Sequence, residues 1–319
     1  MKRERVNMND AWRLKRYLAE EMVEEYEEGR MSRRRMISTV SRILGVAVVS
    51  PALLSSLGCA SPEQANVEEP EEAAPVPEST TEGVTVQPED PDIEVSEVQV
   101  PGEEGAIRAY QARPAGEGPF ASVILIHENR GLKEHTRDVA RRFAKLGYTG
   151  LAVDLLSRSG GSEQFADEAE ATTAISELDP GNVISDLRSS VTWLQDQPYA
   201  QEGRIGAIGW CWGGGQAWRL ATEEPRISAI SAFYGPNPPL EAVPNIQAAT
   251  LGIYGGEDAR ITDQEPELEE ALAAAGKTYE MKVFDGANHA FFNDTGDRFD
   301  PEAAEQAWSD TLDWFDQYL

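Results

Sequence analysis

Cys211 stands within Ile208-Gly209-Trp210-Cys211-Trp212-Gly213-Gly214-Gly215, between the apolar run Ile205-Gly206-Ala207-Ile208 and the segment Gln216-Ala217-Trp218-Arg219-Leu220-Ala221. The first flank reads as a buried strand and the second as the start of a helix, so the thiol falls at a sharp strand-to-helix turn, the geometry of a nucleophile elbow. Such a turn brings backbone from both sides close to the nucleophile's neighbours, which explains glycine at 209 and 213. A helix start also offers unpaired amides and the positive end of a dipole, both of which favour thiolate over thiol. This motif alone leaves open a buried structural cysteine on a glycine-rich turn. Two more loops narrow the choice: Gly255-Gly256-Glu257-Asp258 follows the strand-like Thr250–Tyr254, and Gly286-Ala287-Asn288-His289-Ala290-Phe291 follows Val283-Phe284. A histidine there can take the thiol proton or stabilise the thiolate as an ion pair, and later protonate a leaving oxygen. An aspartate can fix its tautomer and orientation. Glu257 competes for the acid role, and Asp258 fits the pattern better.

The elements needed to position these loops follow from hydrophobic periodicity. From about Ile93 strand-like and helix-like segments alternate. Strands are expected at Ala106–Ala112, Ala121–Ile126, Tyr148–Val153, Arg204–Ile208, Ile227–Phe233, Thr250–Tyr254 and Tyr279–Phe284. Helices are expected at Thr136–Leu146, Asn182–Gln197, Asp263–Ala275 and Pro301–Tyr318. This β/α alternation predicts an α/β fold, a mostly parallel sheet flanked by helices on both faces, with ligands bound beyond the carboxyl ends of the strands. The order Cys211, Asp258, His289 is the nucleophile, acid, base order of the α/β-hydrolase fold. An oxyanion would be met by the backbone N–H groups of Trp212 and Asn129. Trp210 and Phe291 are candidates to line an apolar substrate pocket, whereas Trp218 reads as core packing. His127 and His135 have no His or Cys partner at ligand spacing, and Gly213-Gly214-Gly215 lacks the Lys-Ser/Thr of a phosphate loop, so neither a metal nor another cofactor is expected.

Gly209-Trp210-Cys211-Trp212-Gly213-Gly214, Gly256-Glu257-Asp258 and Asn288-His289-Ala290-Phe291 together resemble the nucleophile, acid and base motifs of the dienelactone hydrolase family, over a span from about Val95 to the C-terminus. The resemblance implies a cofactor-independent hydrolase that cleaves a small ester or lactone through a Cys-His-Asp triad. It also implies that Glu128, in His127-Glu128-Asn129-Arg130-Gly131, interacts with the resting thiol and takes part in its activation. Arg158 would help to bind a substrate carboxylate. The sequence departs from the family just after the base, where a second carboxylate-binding arginine is replaced by Phe292-Asn293-Asp294. The alternative reading on the same fold is a non-catalytic, ligand-binding surface lipoprotein. A redox role for Cys211 lacks a resolving cysteine in the domain.

With 319 residues, a formal net charge of -28 and a pI near 4.4, the chain is poorly suited to nucleic acid or an anionic membrane surface. Such acidity would suit a high-salt habitat. Residues 1–59 read as an export region: Ser32-Arg33-Arg34-Arg35-Met36-Ile37 resembles a twin-arginine motif. The modestly apolar stretch Ile43–Leu57, broken by Pro51, leads to Ser56-Leu57-Gly58-Cys59, which resembles a lipoprotein cleavage site with Cys59 lipidated. The preceding Met1–Met31 mixes acidic and basic residues, is compatible with an amphipathic helix, and leaves Met31 as an alternative start. Residues 60–92, rich in Pro, Glu, Ala, Thr and Val, read as a disordered acidic tether, and residues 93–319 as the catalytic domain. The expected protein is thus a monomer, exported to the cell envelope and held at the membrane only through Cys59.

Overall fold

The computed structural model describes residues 8–59 and 84–319, with side chains from residue 12 onward. In chain order the elements begin with α1 (Met8–Glu27), α2 (Arg33–Leu44) and α3 (Pro51–Ser56). They continue with β1 (Ile93–Gly102), β2 (Gly105–Pro114), β3 (Phe120–Ile126), α4 (Glu134–Lys145), β4 (Thr149–Val153), α5 (Glu168–Ser176) and α6 (Pro180–Gln195). The last are β5 (Ala200–Trp210), α7 (Trp212–Glu223), β6 (Ala229–Phe233), β7 (Ala249–Gly255), α8 (Ala259–Thr262), α9 (Glu265–Ala274), β8 (Tyr279–Phe284) and α10 (Pro301–Tyr318). The chain divides into two compact units. One combines the N-terminal helices with Phe165–Gly181; the other comprises Thr81–Gln164 and Asn182–Leu319.

The first unit is helical. Met36, Thr39, Val40 and Ile43, spaced three and four apart, form the buried stripe of α2. Ser32 caps that helix by accepting from the Arg35 N–H at 3.3 Å, and Gly45 closes it at φ 68°. The arginine run therefore forms the first turn of α2, and Arg35 pairs with Asp167, just ahead of α5, at 2.8 Å. The apolar stretch after it is two pieces, the end of α2 and α3, because Pro51 can only start a helix. Among the described residues no helix is long and apolar enough to cross a membrane. Most of the expected tether, residues 60–83, lies outside the described residues. Its last stretch is anchored: Asp138 of α4 accepts from the N–H groups of Thr85 at 3.0 Å and Val86 at 2.9 Å, and the Val86 carbonyl accepts from Arg141. Ordered contacts of the second unit thus start ahead of Ile93.

The second unit is built on an eight-stranded sheet of order β1-β2-β4-β3-β5-β6-β7-β8. The β1–β2 hairpin is antiparallel and β2 pairs antiparallel to β4; from β4 through β3, β5, β6 and β7 to β8 the strands run parallel to one another. The near-continuous apolar runs of β3, β5 and β6 are buried, as strands covered on both faces require. All seven expected strands and four expected helices are present within a few residues. Within residues 93–319, β1, α5 and the short α8 were not among the expected elements. The elbow helix α7 starts at Trp212 and not at Gln216, so it contains all three glycines despite their low helix propensity, about 1 kcal/mol each. Close packing explains them: a Cβ at Gly214 would run into the Phe233 carbonyl and one at Gly215 would meet the Pro236 ring at 2.8 Å.

Candidate active site

Cys211 follows the last residue of β5 and caps α7, with φ 58° and ψ -124°. A side chain at positive φ costs about 1–3 kcal/mol and persists only where the surroundings enforce it. Here the Cys211 N–H donates to the Phe233 carbonyl at 3.0 Å and its carbonyl accepts from Gly215 N–H at 3.2 Å. A Cβ at Gly209 would strike the Gly213 carbonyl, and one at Gly213 would strike the Ile126 carbonyl and stand 2.5 Å from that of His127. The turn is therefore locked against the end of β3. As the first helical residue, Trp212 has an N–H with no acceptor within its own helix, directed outward at the nucleophile's end of the sheet.

The loops after β7 and β8 are laced together. Gly256 N–H donates to the Phe284 carbonyl at 2.8 Å and Glu257 N–H to that of Ala287 at 2.9 Å. A side chain at Gly255 would meet the Ala287 and Asn288 carbonyls at 2.7 and 2.8 Å. This lacing aims Asp258 at His289: Asp258 Oδ2 and His289 Nδ1 lie 2.5 Å apart, with both side chains 2% exposed. Glu257 is exposed, so Asp258 meets the imidazole. Asn288 Oδ1 accepts from the His289 N–H at 2.7 Å, and Ala290 turns the chain at φ 61°. With Asp258 accepting from Nδ1–H, the imidazole's basic nitrogen is Nε2. The Cys211 sulfur and an imidazole nitrogen of His289 lie within 4.8 Å of each other. Tyr234, at φ 36° after β6, packs its ring 5.0 Å from that of His289.

Glu128 and Asn129 sit on the loop after β3, shaped by the buried His127. The His127 Nε2 accepts from Leu155 N–H at 3.2 Å, which leaves Nδ1 to donate to the Glu128 carbonyl at 2.6 Å. Burial pushes the His127 pKa down and outweighs the nearby Asp154 carboxylate, so the ring is neutral. Gly131, at φ 82°, lets the loop turn against Ser162, whose hydroxyl accepts from Leu132 N–H at 2.8 Å and donates to Asp154 at 2.6 Å. The Glu128 carboxylate is held from the far side of the sequence: Asn293 Nδ2 donates to its Oε2 at 2.8 Å, while Oε1 is buried without a hydrogen-bond partner among the described residues. The next residue, Asp294, is bound to His135 at 2.8 Å and to Arg142. Burial works to raise the Asp294 pKa, but these two partners outweigh it and hold the carboxyl below its ordinary range.

Other expected site residues have different surroundings. The guanidinium of Arg158 is engaged by Asp186 at 2.9 and 2.6 Å and by Glu104 at 2.6 Å, so each of its three nitrogens donates to a carboxylate of the chain itself. Trp210 and Phe291 are fully buried in an aromatic cluster with Phe233 and Phe292, a packing role. Asn293 and His127 are the residues the sequence reading did not assign. The missing arginine marked the stretch around Asn293, but no periodicity connects residue 293 with residue 128.

A locked strand-to-helix turn at the carboxyl edge of a mostly parallel sheet, with Asp258 and His289 delivered from the ends of β7 and β8, defines an α/β-hydrolase fold. Sequence comparison narrows the class. The family model described as dienelactone hydrolase family matches residues 107–319, and the chain belongs to that family, whose members are hydrolases of ester or lactone bonds. A "Putative carboxymethylenebutenolidase" of Methylorubrum extorquens is 36% identical over 234 residues, 70% of this chain and 80% of that protein. One of the same name from Escherichia coli is 32% identical over 246 residues, 73% of this chain and 90% of that protein. The crystal structure of a "Putative Dienelactone Hydrolase" from Klebsiella pneumoniae superposes with a TM-score of 0.67 at 32% identity, covering 71% of this chain and 99% of that one.

Proposed function

We propose that this protein is a cofactor-independent thiol hydrolase in which Cys211, His289 and Asp258 cleave a small ester or lactone. The supporting observation is the convergence of a strained Cys211, an imidazole nitrogen of His289 within 4.8 Å of its sulfur, and Asp258 at 2.5 Å from Nδ1 of that ring. His289 Nε2 takes the thiol proton, and the sulfur forms a bond to the acyl carbon as the carbonyl electron pair moves onto oxygen. The N–H groups of Trp212 and Asn129 receive that oxyanion. Its collapse breaks the ester C–O bond, and the imidazolium, steadied by Asp258, gives its proton to the leaving oxygen. His289 then deprotonates a water, the resulting hydroxide attacks the thioester, and the C–S bond breaks to regenerate the thiol and release the acid. Burst kinetics with p-nitrophenyl acetate, coupled to intact-mass detection of an acyl group on Cys211, test this reading. An acyl group found elsewhere, or none during turnover, refutes it.

We further propose that the protein is exported by the twin-arginine route and anchored at Cys59. The support is the succession Ser32-Arg33-Arg34-Arg35, apolar stretch, Cys59 and acidic residues. Cell fractionation of Cys59→Ala, which should move from membrane to soluble exported fraction, tests the anchor.

A further inference from the structure

We propose that Asn293 sets the charge preference of the site, making it select esters and lactones that carry no carboxylate. The proposal rests on the reading of Cys211 as nucleophile and specifies its substrate class. Glu128 belongs to the loop that begins at the Ile126 and His127 carbonyls, the same carbonyls that lock Gly213 of the elbow. Its carboxylate therefore stands at the nucleophile's end of the sheet. Asn293 lies four residues beyond His289, on the loop that delivers the base, and its amide bridges the two loops through the 2.8 Å bond to Oε2.

An amide at this place does two things. It fixes the Glu128 side chain, because one oxygen is held by a donor whose own loop is tied down at Asp294 by His135 and Arg142. It also leaves the negative charge in place, since a neutral donor disperses a carboxylate's field far less than a guanidinium does. Oε1, buried without a hydrogen-bond partner among the described residues, keeps that field strong. Arg158, the residue expected to bind a substrate carboxylate, is engaged by Asp186 and Glu104. A substrate carboxylate brought next to the thiol would thus meet a fixed like charge, worth about ten- to hundredfold in kcat/KM at separations of several ångströms. An uncharged acyl chain meets no such barrier.

The test compares mono-p-nitrophenyl adipate with its methyl ester, which differ only in whether the distal carboxylate is masked, on the full chain at constant ionic strength. The wild type should favour the methyl ester by about tenfold or more in kcat/KM. Asn293→Arg, which pairs Glu128 and supplies a cation, should narrow or invert the ratio by about tenfold; Glu128→Gln, which keeps the Asn293 bond and removes the charge, should narrow it in the same direction even if turnover falls. Equal use of both esters by the wild type, or an unchanged ratio in both folded variants, overturns the proposal. Cys211→Ala separates this outcome from failure of the parent reading: persistent turnover of either ester in that variant refutes the nucleophile, whereas its loss together with an indifferent wild-type ratio refutes only the charge preference.

Discussion

Gly213→Ala is the sharpest probe of the elbow, because the structure fixes both the clash and what must move to relieve it. The added methyl would stand 2.5 Å from the His127 carbonyl, 0.9 Å short of the 3.4 Å at which contact becomes ordinary, and would come nearer still to the Ile126 carbonyl. Neither acceptor can rotate away. Ile126 is registered against both Val153 and Gly209, and the residue after His127 has its carbonyl held by the His127 ring. The strain therefore has to be relieved by displacing the turn that carries Cys211. Overpacking of this size costs about 1–3 kcal/mol, which lowers Tm by about 2–12 °C in a domain of this size. A nucleophile moved by about 1 Å loses about a hundredfold in rate. Thermal unfolding followed by circular dichroism, together with initial rates on p-nitrophenyl acetate at 25 °C, separates the two effects. Gly203→Ala is the control: its φ of 69° makes a side chain unfavourable, but no atom lies within 4 Å of the new methyl, so stability should fall by about 1 kcal/mol with turnover unchanged. A Gly213→Ala protein with wild-type turnover would refute the argument that the β3 carbonyls position the nucleophile.

The remaining predictions concern the triad, acid stability and export. Cys211→Ala and His289→Ala should each remove nearly all turnover, and the double variant should lose little more, as read from kcat; Asp258→Asn should retain more activity than either. Stability should decline with acid in two stages, measured as denaturant unfolding against pH. His127 has a folded pKa below its ordinary 6.5, so it contributes stability fully present above that value and lost as pH falls through it; His127→Gln should flatten this first stage. Asp294, also lowered, contributes stability present above its ordinary 3.8 and lost below it, and Asp294→Asn should lower stability at neutral pH by about 1–3 kcal/mol while flattening the second stage. Arg33→Lys combined with Arg34→Lys should retain the protein in the cytoplasm, as judged by immunoblotting of cell fractions, while Cys59→Ala should not.

Local patterns in the sequence carried most of the framework. Buried strands announce themselves as apolar runs, and a loop directly beyond a strand must lie at that strand's carboxyl end, so Cys211, Asp258 and His289 could be placed at one edge before any coordinates. Gly209 and Gly213 were legible for the same reason: a sharp turn excludes Cβ wherever backbone meets backbone. Propensity misled only at the start of α7, where close packing against Phe233 and Pro236 holds three glycines in a helix. What tertiary structure decided are relations between residues far apart in the chain that no period connects. The laced loops supply the reason why Asp258, the carboxylate the pattern favoured, turns inward while Glu257 stays exposed. The capture of Arg158 by Asp186 and Glu104, and of Glu128 by Asn293, needed the strand order that brings those loops together. The union of Phe165–Gly181 with the N-terminal helices had no local signal either, since the burial of a short helix such as α5 depends on a partner surface and not on its own sequence.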